Sequence, residues 1–114
     1  MLNETPGDPT VLNGLGMIAM GQQRLEDAES YFARALKIDP KGVPLLQNMG
    51  ACLANRGQYE KAEAQFRKAL EIDPTDPRSA GALGELLART GRSEEAGKYL
   101  KQAAEMKPPD MNMK

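Results

Sequence analysis

Apolar residues recur along this chain with the spacing of helix faces. Between positions 26 and 38 one such set is Ala28, Tyr31, Phe32, Ala35, Leu36 and Ile38. Steps of three and four residues place these side chains on one face of a helix. A similar stripe returns 34 residues later, and no stretch alternates apolar and polar residues as a half-buried strand does. The pattern therefore predicts an all-α fold.

Proline and aspartate indicate where the helices begin and end. Asp8 and Asp76 each precede a proline, and an N-cap acceptor followed by proline at the first helical position is typical of a helix start. The Asp-Pro pairs at 39–40 and 73–74 should end helices, because the residue before proline is pushed out of the α region. We predict six helices, at 10–22, 26–38, 44–56, 60–72, 77–90 and 94–106.

Glycine indicates the turns inside two of the three helix pairs. Gly57 and Gly91 lie just after a predicted first helix, where a left-handed residue commonly ends the helix. Gln23 holds the corresponding position in the first pair, so the sequence predicts that turn less strongly.

The chain contains three copies of one 34-residue pattern. The aligned sets are Gly16, Gly50 and Gly84; Ala28, Ala62 and Ala96; Ala35, Ala69 and Ala103; and Pro40, Pro74 and Pro108. This spacing of small residues with a closing proline resembles the tetratricopeptide repeat (TPR), a helix-turn-helix unit that stacks into a solenoid. The resemblance implies a right-handed superhelical α-solenoid in which the repeated glycine lets the two helices of a unit approach closely.

The resemblance covers residues 9–110 and implies three units. They are 9–42, 43–76 and 77–110, with an N-terminal extension at 1–8 and a C-terminal tail at 111–114. The third unit departs from the pattern, because Leu100, Ala104 and Met106 replace phenylalanine, leucine and isoleucine of the earlier units. Its apolar face should be thinner.

Charge and hydropathy exclude several classes of partner. The 114 residues include 15 basic and 16 acidic ones, which gives no electrostatic argument for binding nucleic acid or an anionic membrane surface. No apolar run approaches the roughly 20 residues of a membrane span, and no signal peptide is visible. The compartment stays open, with the cytoplasm favoured.

Residues for catalysis or cofactor binding are scarce. The chain has no histidine, and its single cysteine, Cys52, is interpreted as a small buried apolar residue. The run Gly14-Leu15-Gly16-Met17-Ile18-Ala19 fits a dinucleotide fingerprint, but that motif needs a preceding strand. Gly16 is also matched by a glycine in each later unit, which favours a role in helix contact. We therefore expect no enzyme activity, no metal and no cofactor.

The resemblance implies that the first helix of each unit lines a concave groove for a protein or peptide. The groove residues would be Asn13, Met17, Met20, Gln47, Asn48, Asn55, Arg78, Glu85 and Arg89. Amides can donate to and accept from a peptide backbone, methionine adapts to apolar side chains, and arginine can hold a carboxylate. The alternative is that these amides are simply solvated and that the methionines fill gaps. At the positions of a chaperone-binding carboxylate clamp only Asn48 matches and Arg78 keeps the charge, which argues against a clamp.

The two ends of a solenoid need polar caps, and this chain has partial ones at best. Val11 and Ile18 should face the place of a missing preceding unit, while Leu100, Ala104 and Met106 should face solvent after the last helix. Such edges predict either end-to-end self-association or a chain cut from a longer TPR protein.

Three functions agree with these observations. The leading prediction is a non-catalytic scaffold that binds a peptide segment or a partner protein in its groove. The alternatives are a structural protein that stacks end to end as a homo-oligomer, and a regulatory fragment of a larger enzyme.

Overall fold

The structure is a computed structural model, and it describes residues 8–106 as a succession of six helices. Their bounds are α1 Pro9–Gly21, α2 Leu25–Ile38, α3 Val43–Asn55, α4 Tyr59–Ile72, α5 Pro77–Arg89 and α6 Ser93–Met106. Every predicted helix is confirmed to within one residue at each end. Each odd-numbered helix packs most closely on the helix that follows it, and α2 and α4 each contact the next pair. The described residues therefore form an all-α solenoid of three stacked helix pairs.

The predicted helix starts at the two Asp-Pro dipeptides are confirmed. The Asp8 carboxylate accepts a hydrogen bond from the backbone N–H of Thr10 at 2.9 Å, and Asp76 accepts one from the N–H of Arg78 at 3.3 Å. These bonds satisfy N–H groups that have no partner inside the helix. Helices α1 and α5 thus begin at defined residues, which fixes the register of the side chains that follow.

The turns between the helices of each pair have the same backbone geometry. Gly57 and Gly91 have φ angles of +80° and +84°, and Gln23 has φ of +63°. In the first pair the N–H of Arg24 donates to the carbonyl of Ala19 at 2.8 Å, and the equivalent bond in each later pair has the same length. Gln23 therefore takes the left-handed conformation that its two glycine counterparts adopt, although it carries a side chain.

We expect Gln23→Gly to raise the free energy of unfolding by about 0.5 to 1 kcal/mol. A side chain in the left-handed region costs about 1–2 kcal/mol, and glycine removes this strain. The greater conformational entropy of glycine in the unfolded chain offsets part of the stabilisation. Urea denaturation followed by circular dichroism measures the change. The reverse substitution, Gly57→Gln, is the control and should destabilise the chain by a similar amount. Equal stability of the wild type and Gln23→Gly would contradict strain at this turn.

Close approach of the two helices in each pair depends on the repeated glycine. A Cβ atom on Gly16 would lie 2.5 Å from Cε1 of Phe32, and one on Gly50 would lie 2.7 Å from Cζ of Phe66. In the third pair a Cβ on Gly84 would meet Cγ of Leu100 at 2.7 Å. Real side chains do not approach so closely, so the interpretation of these glycines as contact points between helices is confirmed.

Contacts between successive pairs bury one face of α3 and one face of α5. On α3 this face comprises Leu45, Met49 and Cys52, which are 5, 8 and 0% exposed. On α5 the equivalent residues are Ser79, Leu83 and Leu86, which are 0, 0 and 4% exposed. Because α2 covers the first face and α4 covers the second, each helix pair depends on its predecessor for burial.

Ion pairs add polar contacts between the second and third helix pairs. Glu63 on α4 pairs with Arg92 at 2.8 Å, and Arg67 on α4 pairs with Glu95 on α6 at 3.2 Å. Hydrogen bonds from Arg92, and after them the interaction with Arg67, lower the pKa of the Glu95 carboxyl. In the sequence, Glu63 and Arg67 lie in a run of mixed charge that is typical of a solvated helix face. In the structure, both side chains reach the next helix pair.

Candidate functional site: the groove between α3 and α5

Two adjoining depressions form a groove between α3 and α5. The smaller has a volume of about 180 Å³ and is lined by Ala51, Ala54, Asn55, Phe66, Ala82, Glu85, Leu86 and Arg89. The larger has a volume of about 380 Å³ and is lined by Gln47, Asn48, Ala51, Phe66, Pro77, Arg78, Gly81, Ala82 and Glu85. Four residues line both depressions, so a single ligand can occupy them together. The short side chains of Ala51 and Ala82 leave the space that forms the groove.

Phe66 contributes to the groove from the helix behind it. Its ring is 4% exposed and belongs to α4, yet it lines both depressions because Gly50 leaves α3 without a side chain at that level. Sequence reasoning did not include Phe66 among the groove residues. The repeated glycine opposite an aromatic ring is the signal that indicates it.

An amide pair joins the groove to α1. The Asn48 side chain donates from Nδ2 to Oδ1 of Asn13 at 2.7 Å, and Asn13 donates to the sulfur of Met17 at 3.8 Å. An asparagine amide has two donor hydrogens and a carbonyl oxygen, and this bond to Asn13 uses one donor. Asn48 can therefore bind a ligand while it remains oriented by Asn13.

Gln47 is held by the start of the next unit. It donates to the hydroxyl of Ser79 at 3.0 Å and to the carboxylate of Asp76, and Ser79 in turn donates to Asp76 at 2.7 Å. Ser79 is fully buried. Sequence reasoning did not single out Ser79. Gln47 thus lines the larger depression as a residue that links two units.

The charged residues predicted for the third unit lie along one side of the groove. Arg78, Glu85 and Arg89 are exposed residues of α5, and Asn55 is exposed on α3 opposite them. Two guanidinium groups flank one carboxylate, so the rim can attract an acidic group of a ligand at either end.

The predicted residues of α1 lie apart from these depressions. Met17 is 54% exposed, whereas Met20 is partly buried against the main core. Asn13 reaches the groove residues through its bond with Asn48. The structure therefore brings together Gln47, Asn48, Asn55, Arg78, Glu85 and Arg89, and it places Asn13, Met17 and Met20 to one side. For all nine, a role in binding stays a prediction.

Exposed apolar residues mark both ends of the solenoid. We define the N-terminal edge as Val11, Leu15 and Ile18, which are 56, 39 and 59% exposed, and the C-terminal edge as Leu100 and Ala104. Leu100 is 41% exposed and Ala104 is exposed as well. Sequence reasoning missed Leu15, although its alignment with the buried residues Met49 and Leu83 could have indicated it. The side chain of Met106, which was also predicted for this edge, lies outside the described residues.

The single thiol of the chain is enclosed. Cys52 is fully buried and its Sγ donates to the carbonyl of Leu25 at 3.3 Å. Burial raises the pKa of this thiol, with a further contribution from Glu29. The prediction that Cys52 acts as a small buried apolar residue is confirmed. Across residues 8–106 we find neither a helix that could cross a membrane nor a group of three side chains suited to a metal ion.

The stacked helix pairs and their repeated glycines define the class of protein. The tetratricopeptide repeat family model matches residues 8–75 and 42–108, which together span most of the chain. The chain belongs to the tetratricopeptide repeat family. A comparison with curated proteins gave no match.

Solved structures with the same fold include proteins of several kinds. A point mutant of MamA is 24% identical, with a TM-score of 0.80 over 93% of this chain and 77% of that one. The translocator chaperone SycD of type III secretion from Yersinia enterocolitica is 26% identical, with a TM-score of 0.82 over 86% and 74%. The first TPR of Spaghetti (RPAP3), bound to the HSP90 peptide SRMEEVD, is 18% identical, with a TM-score of 0.85 over 95% and 88%. These similarities show the fold.

Proposed function

We propose that this chain is a non-catalytic interaction module that binds an extended segment of a partner protein in the groove between α3 and α5. The observation that carries the proposal is the combination of an apolar floor with a polar rim. Ala51, Ala82 and Phe66 form the floor, and amide and guanidinium groups surround it. A groove of this kind can hold an extended peptide through side-chain pockets and hydrogen bonds to the peptide backbone.

The geometry favours a peptide with one apolar side chain close to an acidic one. The smaller depression has room for an apolar side chain of moderate size above Phe66. Asn48 and Asn55 lie where their amides can bond to the backbone of the peptide. Arg78 and Arg89 can each hold a carboxylate, and Glu85 is the acidic residue that lines the groove between them. The solved complex of the RPAP3 repeat with an HSP90 peptide supports peptide binding by this fold in general.

Peptide-display selection on the immobilised full chain tests the proposal. We expect the selected peptides to share an apolar residue near an acidic one. Their affinity should fall at least about tenfold for the double variant Asn48→Ala/Arg78→Glu, because it removes one backbone contact and reverses one charge. Fluorescence anisotropy with labelled peptides measures the change.

The matched control is Lys68→Glu, which reverses one charge on α4 at an exposed residue that lines neither depression. This variant should bind the peptides as the wild type does. A selection that returns no peptide, or peptides that bind the double variant unchanged, would refute groove binding.

A second candidate function is structural self-association through the two ends. The observation that favours it is the N-terminal edge, where three apolar side chains are exposed on one helix face. Exposed apolar patches of this kind on a small chain commonly mark contact surfaces. Sedimentation velocity over a concentration series tests this function, and a monomer at the highest concentration would count against it.

A further inference from the structure

The residues of the N-terminal edge occupy the same repeat positions as residues that are buried on α3 and α5. Val11, Leu15 and Ile18 correspond, at intervals of 34 residues, to Leu45, Met49 and Cys52 on α3. Those three α3 residues are at most 8% exposed because α2 covers them. The N-terminal edge is therefore the face that the second helix of a preceding unit would cover.

The C-terminal edge corresponds to the helix faces that cover the next unit elsewhere in the chain. Leu100 on α6 occupies the position of Phe32 on α2 and Phe66 on α4, which are 0 and 4% exposed. Helices α2 and α4 each cover a following helix, whereas α6 in the described residues covers none. Leu100 is smaller than phenylalanine, and Ile18 at the other end is larger than its counterpart Cys52 on α3 and similar in size to its counterpart Leu86 on α5.

The charges at the two ends match as well. Arg67 on α4 pairs with Glu95 on α6, and Glu95 also pairs with Arg92 three residues before it, at 2.6 Å. One repeat beyond Arg67 lies Lys101, which is exposed. Two repeats before Glu95 lies Asp27.

Asp27 also has the same kind of local ion pair as Glu95. It pairs with Arg24 at 3.2 Å, three residues before it, as Glu95 pairs with Arg92. The last unit therefore offers a cation, and the first unit offers an anion, at the two positions that already form an ion pair between units two and three. Their signs are those of the ion pair between units two and three, whereas the same positions at the junction of units one and two are Ala33 and Lys61.

We infer that the partner of each free edge is a second copy of this chain, stacked head to tail with Lys101 of one copy paired to Asp27 of the next. This inference rests on the proposed self-association and specifies which residues of the two copies meet, which we call the register. Helix α6 of one copy then covers α1 of the next, as α4 covers α5 within the chain. The contact joins two different surfaces, so an open assembly always has one free edge of each kind. It can therefore grow into a filament or close into a ring.

Charge reversal with mixing tests this register on the full chain. In Asp27→Lys the new lysine faces Lys101, and in Lys101→Asp the new aspartate faces Asp27, so each variant alone meets a like charge at every junction. An equal mixture of the two variants offers opposite charges at every mixed junction. We expect each variant alone to self-associate about five- to tenfold more weakly than the wild type, and the mixture to recover wild-type association. Sedimentation velocity measures all of these.

Two further variants separate the register from self-association itself. Lys41→Asp makes the same charge change in the α2–α3 turn and should leave association unchanged. Ile18→Glu places a charge in the N-terminal edge and should abolish association. Loss of association in Ile18→Glu without any effect of the charge reversals would overturn the register while end contact stands. A mixture as weak as its components would also overturn it, and a wild-type chain that stays monomeric would overturn the register and self-association together.

Discussion

Replacing Phe32 with alanine is expected to lower the free energy of unfolding by about 3 to 5 kcal/mol. The ring is fully buried, and it fills the space that Gly16 leaves between α1 and α2. It also belongs to the core cluster that continues into α3 through Met49 and Cys52. Its loss leaves a cavity that touches two units, so neither unit alone can close it. Since small domains are stable by only about 5–15 kcal/mol, urea denaturation should show a large loss.

The matched control for Phe32→Ala is Leu100→Ala at the equivalent position of the third unit. Leu100 is 41% exposed, so its removal takes less apolar surface from a packed environment. We expect a cost below about 1.5 kcal/mol, measured at protein concentrations where the chain is monomeric. A cost as large as that of Phe32→Ala would mean that α6 is covered in solution, contrary to the exposed edge that the structure describes.

The helices could be predicted from sequence because each signal occurs more than once. The Asp-Pro dipeptides at 8–9 and 76–77 start helices, those at 39–40 and 73–74 follow helix ends, and the same spacing separates equivalent residues in every unit. The one weak signal, Gln23, gave a turn with the same geometry as the others. Hydrogen bonding of the neighbouring backbone fixes that turn, and it overrides the preference of a single residue.

The groove could be predicted only in part, since helix periodicity fixes which way a residue faces and leaves open what it meets. Asn48 and Arg78, two of the predicted groove residues, line the larger depression. The bond between Asn48 and Asn13, and the bonds of Gln47 to Ser79 and Asp76, depend on the distance between units. That distance results from how α2 and α4 pack on the next pair, which no local pattern encodes.

The ion pairs between units two and three could not be predicted from local sequence either. Glu63 and Arg67 look like members of a solvated surface when α4 is considered alone, because their neighbours in sequence are also charged. Their long side chains reach Arg92 and Glu95 across the boundary between units. Lys101 and Asp27 occupy the repeat positions of Arg67 and Glu95, so the ion pair seen between units relates the two ends of the chain.

Gly50→Ala is expected to destabilise the chain even though alanine favours helices more than glycine does. A Cβ at this position would lie 2.7 to 3.0 Å from three atoms of the Phe66 ring, and the ring is enclosed by the core. Overpacking of this kind costs about 1–3 kcal/mol, and the better helix propensity of alanine returns about 1 kcal/mol. We expect a net loss of up to about 2 kcal/mol. The groove between α3 and α5 should also have a narrower floor.

Gly14→Ala is the control that isolates helix propensity. Gly14 lies within α1, and an added Cβ there would meet nothing within 4 Å. This variant should gain about 1 kcal/mol of stability, so the two substitutions of the same type should have opposite signs. Urea denaturation of both variants side by side measures the difference.

Gly84→Ala should fall between these two variants. Its added Cβ would meet Leu100, whose exposed side chain can move away from the new atom in a way that the enclosed Phe66 ring cannot. The carbonyl of Ala96 at 3.2 Å still limits the available space. The expected order of stability change is therefore Gly14→Ala above Gly84→Ala above Gly50→Ala. Equal changes in stability at all three positions would show that they arise from helix propensity alone. The close packing of α3 on α4 at Gly50 would then make no difference to the free energy of unfolding.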